Sequence, residues 1–157
     1  MALIDAARAH GFEDVAFETR LEHVPATVAA DLPREGVIVF PVPDQYADTA
    51  AFCEHFKCSM DDSANTLILK FTKEGGEHYA AVVALGSRRL DVNGLVRRYL
   101  GAQRLTFAKR DVATEMTQME FGGITAFGLP RTMRILVDEP VMQRAHVVMG
   151  AGFRRTK

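Results

Sequence analysis

The chain has no tryptophan, two cysteines and no uncharged stretch near the roughly 18 residues needed to cross a bilayer. Its two thiols, Cys53 and Cys58, have no companion Cys or His at metal or framework spacing. They read as reduced cysteines, which excludes a disulfide scaffold and a zinc knuckle. The first residues, Met1-Ala2-Leu3-Ile4-Asp5, lack the basic start and apolar centre of a secretory signal, so the expectation is a cytoplasmic protein without membrane attachment. The patterns G-x-S-x-G, H-E-x-x-H and G-x-x-x-x-G-K-[ST] are absent, and the five histidines are scattered. This removes the serine-elbow hydrolases, the zinc proteases and the P-loop enzymes, and leaves an expectation of no metal and no organic cofactor.

What is present fits one globular domain over residues 1–157, with 48% hydrophobic and 25% charged residues. The net charge of −1 conceals two unlike parts: residues 1–64 sum to −8 and residues 65–157 to +7. Either the halves interleave and the charges mix, or the basic half is an electrostatic footprint for a polyanion. Helical periodicity runs over 2–10, 26–32, 48–56 (with Asp48 as N-cap), 92–100 (between Asp91 and Gly101), 111–118 and 139–144; 13–21 is ambiguous. Strand-like runs cover 37–40, 65–71, 78–85, 104–107, 133–137 and 145–149, with Gly75-Gly76 turning the second into the third. In 65–71 the odd positions Asn65, Leu67, Leu69 and Phe71 share one face, and Thr66, Ile68 and Lys70 the other. The expected fold is α+β: a curved mixed β-sheet of about six strands surrounded by helices.

The densest signal is Phe121-Gly122-Gly123-Ile124-Thr125-Ala126-Phe127-Gly128-Leu129-Pro130. It reads either as a structural turn or as a loop whose N–H groups bind an anion or a developing oxyanion. Residues 122–128 resemble the glycine loop of the YbaK/prolyl-tRNA-synthetase-associated editing domains, which hydrolyse mischarged aminoacyl-tRNA. Thr66-Leu67-Ile68-Leu69 resembles the family's first central strand, Leu90-Asp91-Val92 through Leu100-Gly101-Ala102 its "LDL…LGA" helix, and Val147-Val148-Met149-Gly150-Ala151-Gly152 its late strand and glycine pair. The four motifs occur in the family's order over a core of about 65–152.

The resemblance implies a deacylase acting in trans on aminoacyl-tRNA, with an aminoacyl-tRNA synthetase as a further partner and a monomer or homodimer as the active form. It assigns catalysis to Asn65, Gly122, Gly123, Thr125 and Gly128. Substrate binding falls to Thr66, Leu67, Phe127, Gly150 and Gly152, with Leu67 and Phe127 forming the side-chain pocket. The tRNA contacts expected of the basic half are Arg97, Arg98, Arg104, Lys109, Arg110 and Arg131, although Arg97 and Arg98 equally suit a helix C-terminus. Two departures stand out. The family's lysine before Thr-Leu is Asn65 here, which can hydrogen-bond but brings no charge; this admits a non-catalytic module that binds aminoacyl-tRNA or a nucleotide-like ligand in the same pocket. The sequence also stops at Lys157, where family members continue into a further strand and helix, so the N-terminal segment or a second subunit is expected to cover the sheet edge.

Overall fold

One hairpin positions everything else. In the computed structural model, which describes residues 3–12 and 21–157, the alternating stretch after Ser63 forms β1 (Ala64–Lys73) and returns as β2 (Gly76–Leu85). The turn residues Glu74 and Gly75 have φ of 52° and 75°, the positive-φ pair that matches the twist of the flanking strands. Pairing runs in register from Ala64↔Leu85 to Lys73↔Gly76. β3 (Arg104–Phe107) adds antiparallel to β1, and β4 (Arg134–Val137) adds parallel to β2, giving a mixed sheet in the order β3-β1-β2-β4.

Among the described residues the sheet has four strands, not the expected six or so. Residues 37–40 do not join it. Phe40 and Lys157 exchange backbone hydrogen bonds of 3.0 Å, the Val42 N–H donates to the Arg155 carbonyl, and only the isolated bridge Pro41↔Thr156 results. Pro41 and Pro43 have no N–H, so a ladder cannot grow through them. Residues 145–149 meet the sheet at a single parallel bridge, Ser63↔Val148, because they pass the very start of β1.

The two faces of β1 are buried by different elements. Leu69 and Phe71 pack with Val96, Leu100 and Leu105 beneath a wide turn (Val92–Val96) and α4 (Arg97–Leu100). The Asp91 carboxylate accepts from the Gly94 and Leu95 N–H groups at 2.9 and 3.1 Å, and Gly101 ends the element at φ 65°. On the other face Ile68 packs with Ala81, Ala113 and Met133 under α5 (Arg110–Thr117), and Ile124 of the glycine-rich loop joins them. The loop therefore lies on the even-numbered face of β1.

The N-terminal part contributes α1 (Leu3–Ala9), α2 (Ala26–Asp31) and α3 (Thr49–Phe56). Phe12 stacks on Phe40 with ring centroids 4.1 Å apart and packs against Phe52, so this part has its own aromatic cluster. Asp48 precedes α3 but does not cap it; its carboxylate instead accepts from Arg154 at 2.8 Å. Arg154 also reaches Asp44, and Arg144 pairs with Asp62, so the acidic and basic parts of the sequence interleave at these contacts. The last helix, α6, is short (Glu139–Met142). Met1, Ala2 and most of the ambiguous stretch, 13–20, lie outside the described residues. Among the described residues no helix is long and apolar enough to cross a membrane.

Candidate functional site

β3 pairs with β1 only from Leu69 onward, so the first residues of β1 have an open flank. A cavity of about 490 Å³ occupies it, bounded by residues 63–68, the end of β2, the start of α5, the glycine-rich loop and residues 148–150. Asn65, Thr66, Leu67, Gly122, Gly150 and Arg110 all line it, so residues predicted from three separate motifs converge there. Asn65 is exposed, and its Oδ1 accepts a hydrogen bond from the Thr49 hydroxyl at 2.9 Å. Thr66 is only 9% exposed, and its Oγ1 has no hydrogen-bond partner.

Other predicted site residues lie elsewhere. Phe127 lines a second, largely apolar cavity of about 400 Å³, with Val28, Phe40 and His146 among its walls. Leu67 lines the first cavity and Phe127 the second, with residues 148–150 lining both. Thr125 is fully buried; its N–H points at the Met119 sulfur, 3.4 Å away, and its hydroxyl is unpartnered.

Most of the glycines serve chain-to-chain packing. A Cβ on Gly123 would lie 2.5 Å from the Phe153 carbonyl oxygen and 2.7 Å from the Arg154 nitrogen. On Gly128 it would strike the Thr27 carbonyl of α2, on Gly150 the Gly123 carbonyl, and on Gly152 the Pro25 ring. Gly122 differs, since at φ 85° its only close neighbour would be the side chain of Arg154.

The amides divide in the same way. The Gly123 N–H donates to the Glu120 carbonyl at 3.0 Å, and the Gly128 N–H to the Asp31 carboxylate at 2.8 Å. Gly122 and Ile124, both on the cavity wall, have N–H groups without a partner among the described residues. Of the three glycines expected to present amides to a substrate, only Gly122 has a free one.

Several lining residues carried no motif and were not foreseen: Asp48, Thr49, Arg88 and Lys157. The Lys157 ammonium donates to the Ala47 carbonyl at 2.8 Å; burial pushes its pKa down, and the nearby Asp48 charge opposes that shift. The basic residues at 153–157, directly after the late glycine pair, were the available sequence signal. Among the predicted tRNA contacts, Arg97 is committed to the end of α4, donating to the Ala102 and Gln103 carbonyls at 3.3 and 2.7 Å. Arg98, Arg104, Lys109 and Arg131 make no ion pair among the described residues. At the cavity mouth the Arg110 guanidinium lies 4.6 Å from the Phe121 ring centroid, and Phe107 and Phe121 are 60% and 52% exposed. Among the described residues no group of three or more His, Cys, Asp or Glu could hold a metal ion.

The family model described as "aminoacyl-tRNA editing domain" matches residues 44–157, more than two-thirds of the chain. The fold resembles that of a "putative trans-editing enzyme for prolyl tRNA synthetase", with a TM-score of 0.68 and 17% identity over 92% of this chain and 85% of the other. A hypothetical protein, APE2540, aligns with a TM-score of 0.65 and 23% identity over 75% of each chain. No curated protein matches the chain.

Proposed function

Because the chain belongs to the aminoacyl-tRNA editing domain family, we propose that it hydrolyses the ester of mischarged aminoacyl-tRNA in trans, within the cavity beside β1. Water attacks the ester carbonyl carbon, the bond from that carbon to the ribose oxygen breaks, and the proton lost by the water ends on that oxygen. The neighbouring ribose hydroxyl can hold or activate the water, so the protein's task is to position the ester and stabilise the charge on its oxygen. The observation carrying this reading is that Gly122 and Ile124 line the cavity and have N–H groups without a partner among the described residues, donors available to an oxyanion.

Phe107 and Phe121 flank Arg110 at the mouth, where they can stack the bases of the tRNA 3′ end while Arg110 meets phosphate. Arg98, Arg104, Lys109 and Arg131 extend the positive surface for the acceptor stem. The test is deacylation of a panel of mischarged tRNAs by the purified protein. Turnover of at least one, lost on mutation of the cavity wall, supports hydrolysis; no turnover of any overturns it.

One observation favours a second reading, a non-catalytic module that holds the aminoacyl end. Asn65 has no charge, and its amide oxygen is already engaged by Thr49. High affinity without turnover in the same panel would select that reading.

A further inference from the structure

The backbone groups of β1 can be assigned to sides one residue at a time. The Ser63 carbonyl accepts from the Gly86 N–H on the β2 side, so odd-numbered residues of β1 bond to β2. Even-numbered residues point outward: the Ala64 N–H donates to the Val148 carbonyl at 2.8 Å, and the Ile68 carbonyl accepts from the Ala108 N–H at 2.9 Å. The opposite strand agrees. Val83, which faces Thr66, turns its own carbonyl away from β1 to accept from the Asp138 N–H.

Thr66 lies between the two outward contacts. Its N–H and C=O point off the edge into the cavity, with no partner among the described residues, and its buried hydroxyl is unpartnered as well. A backbone donor and acceptor left bare on a buried strand edge is an unusual omission in a native protein. The gap is also short. From Ala64 to Ile68 is about 13 Å of strand; Val148 closes one end at the Ala64 N–H and Ala108 the other at the Ile68 C=O, with the Ala64 C=O and Ile68 N–H open on either side of Thr66, which leaves room for about one residue of partner and excludes a peptide strand.

We infer that Thr66 is the docking point for the α-aminoacyl group, which pairs with it as a single residue added to the edge of β1. In an antiparallel hydrogen-bonded pair one residue both donates to and accepts from its partner. An aminoacyl ester has the same two groups at the same separation. Its α-ammonium donates to the Thr66 carbonyl, and its ester carbonyl accepts from the Thr66 N–H. Directly opposed residues share a face, so the substrate side chain falls on the Thr66–Ile68 side, toward Ala113 and Ile124. That side carries the apolar Ile68, Ala113 and Ile124 together with the unpartnered Thr66 hydroxyl.

This inference rests on the editing reading, and its test is separable from it. The probe is 3′-alanylamino-3′-deoxyadenosine, a stable amide mimic of a charged tRNA end, compared with its propionyl counterpart lacking the amino group. Backbone amide NMR of the wild-type protein should show the Thr66 resonance shifting with the alanyl mimic and its hydrogen exchange slowing. The propionyl compound should bind at least about tenfold more weakly, the loss expected for a hydrogen bond to a charged group. Thr66→Pro removes an N–H that no protein group uses, and proline is tolerated on a strand edge whose N–H faces outward. It should cut single-turnover deacylation at least about tenfold with an unchanged melting temperature. A Thr66 amide unmoved by a saturating mimic, or equal binding of the two compounds, overturns the docking mode even if the protein deacylates. A Thr66 response without any deacylation keeps the docking mode and removes the hydrolysis.

Discussion

Replacing Gly123 with alanine tests what the glycine-rich loop is built around. The new Cβ would lie 2.5 Å from the Phe153 carbonyl oxygen and 2.7 Å from the Arg154 nitrogen, both main-chain atoms, so no side-chain rotation relieves the contact. The 153–154 backbone must retreat by roughly 1 Å to restore van der Waals separation, and overpacking of this kind costs about 1–3 kcal/mol. That movement pulls on the Gly152 N–H···O=C Gly123 bond of 2.7 Å and on the Arg154 N–H bond to the Glu120 carboxylate of 2.8 Å. Weakening one of them adds about 0.5–1.5 kcal/mol. The expected loss is about 3 kcal/mol, which lowers the melting temperature of a chain of this size by about 6–12 °C. Gly122→Ala is the control. It incurs about 1–2 kcal/mol for a side chain at positive φ, but the group it meets is the movable Arg154 side chain. Thermal unfolding followed by circular dichroism measures both. A Gly123→Ala melting temperature within about 2 °C of wild type, or a larger loss for Gly122→Ala, would refute the packing assignment.

Asn65→Ala should slow single-turnover deacylation by about one to two decades if its amide contacts the reacting group, whereas Asn65→Lys should maintain or raise it. Unchanged rates in both variants would remove Asn65 from the site. tRNA affinity should fall steeply with salt, and neutralising Arg104 with Arg131 should flatten the log–log slope by about two, one for each phosphate contact; a salt-independent affinity would refute the electrostatic footprint. Phe121→Ala should weaken binding of a single-stranded CCA end by about 1–3 kcal/mol, as loss of a stacking platform does, and unaltered affinity in a titration would place the bases elsewhere. Burial pushes the Cys58 thiol from 9.0 to about 11, with the Cys53 and Asp62 charges acting in the same direction. At pH 8.5 its alkylation should therefore be about a hundredfold slower than that of an unfolded-chain cysteine. Because the folded thiol holds its proton longer than the unfolded one, this group's contribution to stability is intact below pH 9 and is lost as pH rises toward 11.

The parts of the fold readable in the sequence are those specified locally. The alternation from Asn65 to Phe71 and the glycines at 75–76 define the hairpin, and Asp91 and Gly101 mark an element whose ends form as expected. Residues 37–40 were misread because an apolar run before Pro41 has the composition of a strand. Their partner is the 155–157 segment, and sequence periodicity does not report which distant chain is available for pairing. The same limit applies at the site. The loop at 121–130 was recognisable, but the reason for each glycine lies in a neighbour remote in sequence: Phe153 for Gly123, Thr27 for Gly128 and Pro25 for Gly152. Asp48 and Lys157 had no motif because their role arises only when residues 40–48 meet the segment around 154–157.

That meeting has a kinetic consequence. The β1–β2 hairpin closes over a two-residue turn and can form as soon as both strands have left the ribosome. The wall of the cavity cannot. It needs residues 47–49 beside Lys157, held by the reciprocal Phe40–Lys157 backbone pair, a contact spanning most of the chain. Closing so large a loop is entropically costly until the intervening elements have condensed, so this pairing is among the last steps of folding. A partly synthesised chain would hold a formed hairpin and an open trough but no enclosed site. Any activity of the cavity would then have to wait until the 155–157 segment has paired with Phe40 and Val42.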